Sequence, residues 1–390
     1  MRTSNRIAVV ALMATLMLST LPSANACPFC SAPSLTLTEQ LAQSDAVALV
    51  QWVKGTKPDE QQAGSTKYKI VDLLKGPKKE LNKGDKVSLV RYRVGKPGDL
   101  FVLMGTQGTV IEWGSPLEVS ETGYQYMAQA PSPEAPIKKR LAYFLKFLES
   151  QDQLVANDAY GEFANAPYED IAGIAELMPR ERIRSWIADP ETPATRMGLY
   201  GLLIGLCGSA EDVRLLQQKI TQKTEDFRLG IDGVMSGYLL LTGEEGLDVI
   251  DEYKLKDREV PFSETYAAMQ ALRFVWQYTE NRISKDRLRK SMRILLDRPE
   301  LADLVIADLA RWKDWSVQDE LMALYDMPNF NIPSIKRAVV RYMLVCAKDA
   351  PEGDAAETPD HVDDAQENLE LLRKKDPKTV REAERFFFIN

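Results

Sequence analysis

Pro131-Ser132-Pro133-Glu134-Ala135-Pro136 puts three prolines into six residues, and the hydrophobic period of the chain changes across it. Proline fixes φ and lacks a backbone donor, so such a run neither continues a helix nor sits inside a sheet. Before it, apolar residues alternate; after it, they recur every three or four residues. The run predicts a linker over residues 131–136 between a β domain (27–130) and a helical domain (137–390).

Upstream, residues 46–53 (Ala46-Val47-Ala48-Leu49-Val50-Gln51-Trp52-Val53) read as a strand. A polar loop over 54–65 follows, and a second strand over 66–74 closes at Lys75-Gly76-Pro77. Residues 86–94 alternate Val87, Leu89 and Arg91 against Ser88, Val90 and Tyr92. Residues 99–104 and 109–113 are two further runs, with Gly105-Thr106-Gln107-Gly108 between them as a hairpin-like turn. Residues 36–44 are polar and helix-compatible. Five short strands in about ninety residues suit a small closed barrel of the OB type.

Downstream, Ile137, Leu141, Phe144, Leu145 and Leu148 share one helical face, and helix then follows helix, the last ending near Phe386. The first helices of successive pairs centre near Tyr200, Met235, Gln270, Ala307 and Val340, at spacings of 35, 35, 37 and 33 residues. Helix pairs at such a period are the mark of an α-solenoid. The acidic, Ala- and Pro-rich stretch 349–367 reads as a flexible insertion in the last pair. The expected fold class is therefore multidomain, β followed by all-α.

The N-terminus reads as an export signal: Arg2 and Arg6, an apolar run over 7–21, and Ala24-Asn25-Ala26 as a small-x-small cleavage site. Cleavage after Ala26 would make Cys27 the first residue of Cys27-Pro28-Phe29-Cys30, in a compartment where disulfides persist. A lipid anchor on Cys27 is the alternative; a lipoprotein site would show Leu three residues earlier, where Ala24 stands. No later run reaches the roughly 20 apolar residues of a membrane span. Removing Arg2 and Arg6 from the 49 basic residues sets 47 against 57 acidic ones, a balance of −10. That balance argues against a nucleic-acid or anionic-membrane partner. The one histidine, His361, lies in the acidic stretch, which excludes most Ser-His-Asp, Cys-His and His-rich metal chemistry. No cofactor is expected.

The cysteines at the mature N-terminus, Ser44-Asp45-Ala46-Val47-Ala48-Leu49-Val50, and Tyr68-Lys69-Ile70-Val71 running to Lys75-Gly76 together resemble the netrin-like module. Its best-known members are the tissue inhibitors of metalloproteinases. The resemblance covers residues 27–130 and implies an OB-type barrel. It also implies that the amino group and carbonyl of Cys27 would chelate a protease's zinc. The module's own pattern is Cys-x-Cys, whereas two residues separate Cys27 from Cys30. From residue 150 onward the helix pairs resemble HEAT-type repeats, which are scaffolds or binding surfaces.

Cys27 and Cys30 are the first candidates, as a local disulfide or as a dithiol of lowered pKa for thiol–disulfide exchange. The latter use needs a strand-to-helix setting that is not legible here. Cys207 and Cys346 sit at core-like positions. Asp158, Glu162, Glu169 and Asp170, near Tyr160 and Tyr168, read as caps and helix-dipole partners rather than an acid–base pair. Trp276, Tyr278, Trp312, Trp315 and Tyr325 fall near helix ends and read as core or, alternatively, as a binding groove. The expectation is an exported, non-enzymatic protein binding a protein partner, with an envelope oxidoreductase and a metalloprotease inhibitor as alternatives.

Overall fold

Strand β1 (Ala46–Thr56) carries an unbroken buried run over its first five residues, because it is the central strand and both faces are covered. A computed structural model describes residues 26–30, 35–77, 81–350 and 358–385. The expected export segment over 1–25 lies outside them. Two compact units emerge, Met1–Leu177 and Met178–Asn390.

In the first unit β1 pairs antiparallel with β2 (Ser65–Lys75) and with β4 (Leu100–Gln107). β3 (Lys86–Leu89) lies beyond β2, while β5 (Ile111–Trp113) and β6 (Leu117–Glu118) share the far edge of β4. Ala48, Val50, Tyr68, Ile70, Val87, Leu89, Phe101 and Leu103 form the core on one face. The expected third strand, 86–94, stops at Leu89. Beyond it the Thr66 hydroxyl donates to Arg91 O and accepts from Arg93 N, so a side chain replaces the ladder. The expected turn at residues 105–108 also shifts. Gly105 to Gln107 stay in β4, since a Cβ at Gly105 would fall 2.7 Å from Ile111 Cγ2 on β5. The two-residue β6 was not expected.

The same unit holds α1 (Leu37–Gln43), α2 (Glu121–Gln129), α3 (Ile137–Phe144), α4 (Gln153–Ala164) and α5 (Tyr168–Ala172). A capping box starts α1, with Thr36 and Glu39 satisfying each other's backbone donors. This corrects the expected boundary. Residues 131–136 are a loop inside the unit, and the helices up to residue 177 belong with the sheet. Prolines mark where an element stops; they do not say which core the next element joins. Here polar bonds decide. Leu37 N donates to Asp158 Oδ1 at 2.6 Å, Cys27 N to Ala164 O at 3.1 Å, and Tyr143 OH to Tyr126 O at 2.7 Å.

The second unit opens with α6 (Arg180–Ala188) and continues in pairs: α7 (Ala194–Cys207) with α8 (Ala210–Thr221), α9 (Ile231–Thr242) with α10 (Glu244–Ile250), and α11 (Phe262–Tyr278) with α12 (Lys285–Ile294). Then come α13 (Ala302–Arg311), α14 (Gln318–Asp326), α15 (Pro333–Cys346), α16 (Asp360–Lys375) and α17 (Pro377–Arg385). First helices pack on one another, α7 on α9, α9 on α11 and α13 on α15. Gly198, Gly201 and Gly205 of α7 face Gly233 and Gly237 of α9 so closely that the backbones touch. A Cβ on Gly201 would fall 2.5 Å from Val234 N.

The expected flexible insertion over 349–367 is also corrected. Within it, residues 351–357 lie outside the described residues, but α16 begins at Asp360, with Val362, Ala365, Leu369 and Leu372 buried along one face. Asp349 is held by the Trp315 indole N–H at 2.7 Å. The last helix is described to Arg385, one residue short of the expected Phe386.

Candidate functional site

Cys27 and Cys30 form a disulfide within a tight turn, in which Cys30 N donates to Cys27 O at 3.3 Å. Cys27 is only 3 % exposed, and among the described residues no helix starts at the pair to stabilise a thiolate. Its backbone nitrogen, the atom a zinc-chelating amino end would use, is bonded to Ala164 O. Cys207 and Cys346 are free thiols whose pKa burial pushes up, to about 11 and about 12, so both behave as small apolar groups.

The five aromatic candidates do not converge on one groove. Trp276 and Trp312 stack with ring centroids 4.3 Å apart, under Lys285 and Arg289. Tyr278 packs on Phe274 one turn up its own helix. Trp315 meets Tyr342 edge-on and His361 face-on, and Tyr325 is buried with its hydroxyl donating to Asp376 at 3.0 Å. Of the five, Trp276 and Trp312 are brought together, and Trp312 is buried.

Of the early acidic residues, Asp158 and Glu162 form a buried polar network rather than a cleft, while Glu169 is exposed and Asp170 half-buried on α5. Asp158 accepts from Leu37 N and from Tyr126 OH at 2.7 Å, and Glu162 accepts from Thr38 Oγ1 and from Arg140 at 2.6 Å. Burial pushes the Asp158 carboxyl up to about 6 against those hydrogen bonds, with Glu162 adding repulsion. Each oxygen is engaged in tying α4 to α1, α2 or α3, which is a structural task.

A pocket of about 490 Å³ in the second unit carries a group that sequence reading missed. After α10 the chain makes one π-helical stretch, Asp251–Lys256, which turns Lys254 inward until it is 5 % exposed. Its ammonium donates to Glu264 Oε2 at 2.7 Å, and Arg228 grips the same carboxylate through Nε at 2.9 Å and through Nη2. Burial lowers the Lys254 pKa, opposed by Glu264. Burial alone would raise Glu264, but hydrogen bonds from Arg228 and Lys254 outweigh it and hold the carboxyl low. Thr221, Thr224, Tyr253 and Asp257 line the same space. An ammonium has three donors, so Lys254 can offer a hydrogen bond to an oxygen of a ligand there without leaving Glu264. In the sequence, nothing local to Lys254 marks the π turn.

No family model, no curated protein and no solved structure matches this chain.

Proposed function

We propose that the chain is an exported, non-enzymatic binding protein of the periplasm or cell surface, with a protein as its partner. The state of Cys27 carries this reading: its sulfur is closed in a disulfide, its side chain is buried, and its nitrogen is hydrogen-bonded. Both alternatives need that residue within reach: an oxidoreductase works from disulfide and dithiol forms alike but its first sulfur must be open to attack, and an inhibitor needs a free chelating amino end.

We read the sheet as an OB-like, netrin-like barrel. Arg91 bonds Ser115 at 2.8 Å and Arg93 pairs with Glu118 at 3.1 Å, linking the segment after β3 to β5 and β6 at the other end of the sheet path. The helix pairs are read as HEAT-like repeats. Arg228–Glu264, Arg273–Asp308 and Arg287–Asp251 bridge positions 36, 35 and 36 residues apart, close to the sequence period, which supports that reading.

The mature chain is expected to begin at Cys27, checked by intact mass; an added diacylglycerol would mark a lipoprotein instead. The purified protein is expected neither to turn over insulin disulfides nor to inhibit a metalloprotease. Its envelope partner should be captured equally by the chain and by Cys27→Ser/Cys30→Ser. Insulin reduction lost on Cys27→Ser would overturn the reading in favour of an oxidoreductase. Protease inhibition lost on blocking the Cys27 amino group would overturn it in favour of an inhibitor.

A further inference from the structure

Lys67 and Lys69 of β2 point outward in alternation with buried Tyr68 and Ile70, and Lys86 of β3 alternates with buried Val87. The strand register sets Lys69 directly opposite Lys86 and, past the bulge at Val53, Lys67 opposite Lys54. All four are exposed, and none makes an ion pair among the described residues. Like charges facing each other across a strand pair destabilise a sheet. Edge protection explains Lys86 on the outermost strand. It does not explain Lys67 and Lys69, where β2 is paired on both sides; Lys54 lies past the last β1–β4 pair, Gln51 with Leu100. Solubility would be served as well by interspersed signs.

The rest of this outer face is covered: Val47 and Leu74 line a cavity together with Leu41 of α1 and Met127 of α2. The lysine half is left open. The acidic balance of the whole chain hides it, since residues 51–107 hold 12 basic against 6 acidic residues in a chain of net charge −8.

We propose that this face docks the protein onto an anionic phospholipid surface. Beside the lysines, Val53, which precedes Lys54 in β1, and Val90, which follows β3, are 45 % and 83 % exposed. Apolar side chains flanking a basic face suit the headgroup–acyl boundary. They contribute nothing to gripping nucleic-acid phosphates. Single-stranded nucleic acid would also want stacking rings, but Tyr68 is turned into the core and Trp52 packs against it.

The test is co-sedimentation of the full chain with phosphatidylcholine vesicles, with and without phosphatidylglycerol. Binding is expected only with the anionic lipid and is expected to fall with added salt. Lys54→Gln/Lys67→Gln/Lys69→Gln/Lys86→Gln should weaken it by roughly two to three orders of magnitude, about five-fold per lysine. A control variant, Lys138→Gln/Lys139→Gln/Lys290→Gln/Lys378→Gln, should keep most of it. Unchanged circular dichroism shows that both variants fold. Absence of binding to anionic vesicles overturns the proposal, as does equal loss in the two variants. Lysine-dependent binding to heparin or DNA without vesicle binding overturns it too, because the occupant would then be a soluble polyanion. None of these outcomes touches the export reading, which the mass of the mature chain decides.

Discussion

Arg273 of α11 donates through Nε to Asp308 Oδ2 of α13 at 2.6 Å, across 35 residues of sequence. Asp308 is 2 % exposed, whereas Arg273 and its second partner Arg311 both reach water. The two sides of this pair are therefore not equivalent. Arg273→Leu leaves a buried carboxylate held only by an exposed arginine and should cost about 2–4 kcal/mol. Asp308→Ala leaves two solvated arginines and should cost less, about 1–2 kcal/mol. Urea unfolding of both variants reads the order, and equal or reversed costs would refute the assignment.

The glycines of α7 and α9 make a contact that tolerates no methyl group. Gly201→Ala would force the two backbones apart and should lower stability by about 3 kcal/mol or more. Gly161 on α4 is the matched control. Its Cβ would meet only Thr36 Cγ2 at an ordinary 3.6 Å, so Gly161→Ala should stabilise by about 0.5–1 kcal/mol. A neutral Gly201→Ala would remove the close approach from consideration.

Much of the architecture was legible because it is periodic. The alternation in β2 was read with ends within a residue of those found, and the centres Tyr200, Met235, Gln270, Ala307 and Val340 each fall inside a helix, α7, α9, α11, α13 and α15. What failed depended on partners far along the chain. Leu37 and Asp158 are 121 residues apart, and no local pattern says that the helices around Asp158 close over α1. The helix from Asp360 was missed for another reason: its charged composition outweighed a buried face at Val362, Ala365, Leu369 and Leu372 that period counting would have found. At the pocket, Lys254 was invisible because its burial comes from a π turn that sequence spacing does not announce. The lysine face was half visible, as alternation along β2, but the cross-strand opposition required the register.

Glu264, its side chain 2 % exposed, stands between two cations, Lys254 and Arg228. Glu264→Gln keeps the shape and removes the charge that both need, so it should destabilise the second unit by about 3 kcal/mol or more. Glu264→Gln/Lys254→Met removes one stranded cation and should recover part of that loss. A double variant no more stable than the single one would mean that Lys254 gains nothing from Glu264.

Asp158 gives the first unit a pH dependence of unusual sign. Its carboxyl titrates at about 6 in the folded protein and near 3.8 in the unfolded chain, so between those values the folded state holds the extra proton. Its contribution is full below about pH 4 and is lost as pH rises through about 6, on the order of 2–3 kcal/mol. Asp158→Asn cannot ionise. Relative to the natural protein it should gain stability as pH rises from 4 to 7, read by denaturant unfolding at each pH. A difference between the two that does not move with pH would exclude Asp158 as the titrating group.

The division at Leu177 makes the last prediction, and it runs against the proline-rich loop. A fragment covering 178–390 is a compact unit by itself and should unfold cooperatively with an almost wholly helical circular dichroism spectrum. A fragment starting at residue 137 carries α3, α4 and α5 without the groups that satisfy them. Asp158 loses Leu37 N and Tyr126 OH, Glu162 loses Thr38, and the carbonyl of Ala164 loses Cys27 N. Helices stripped of their apolar and polar partners are marginal in water, so this stretch should be open to protease. Limited proteolysis of the longer fragment should trim it to near Met178 and stop there. If the cuts instead spared residues 137–177, those helices would belong to the second unit, and the boundary would return to the prolines at 131–136.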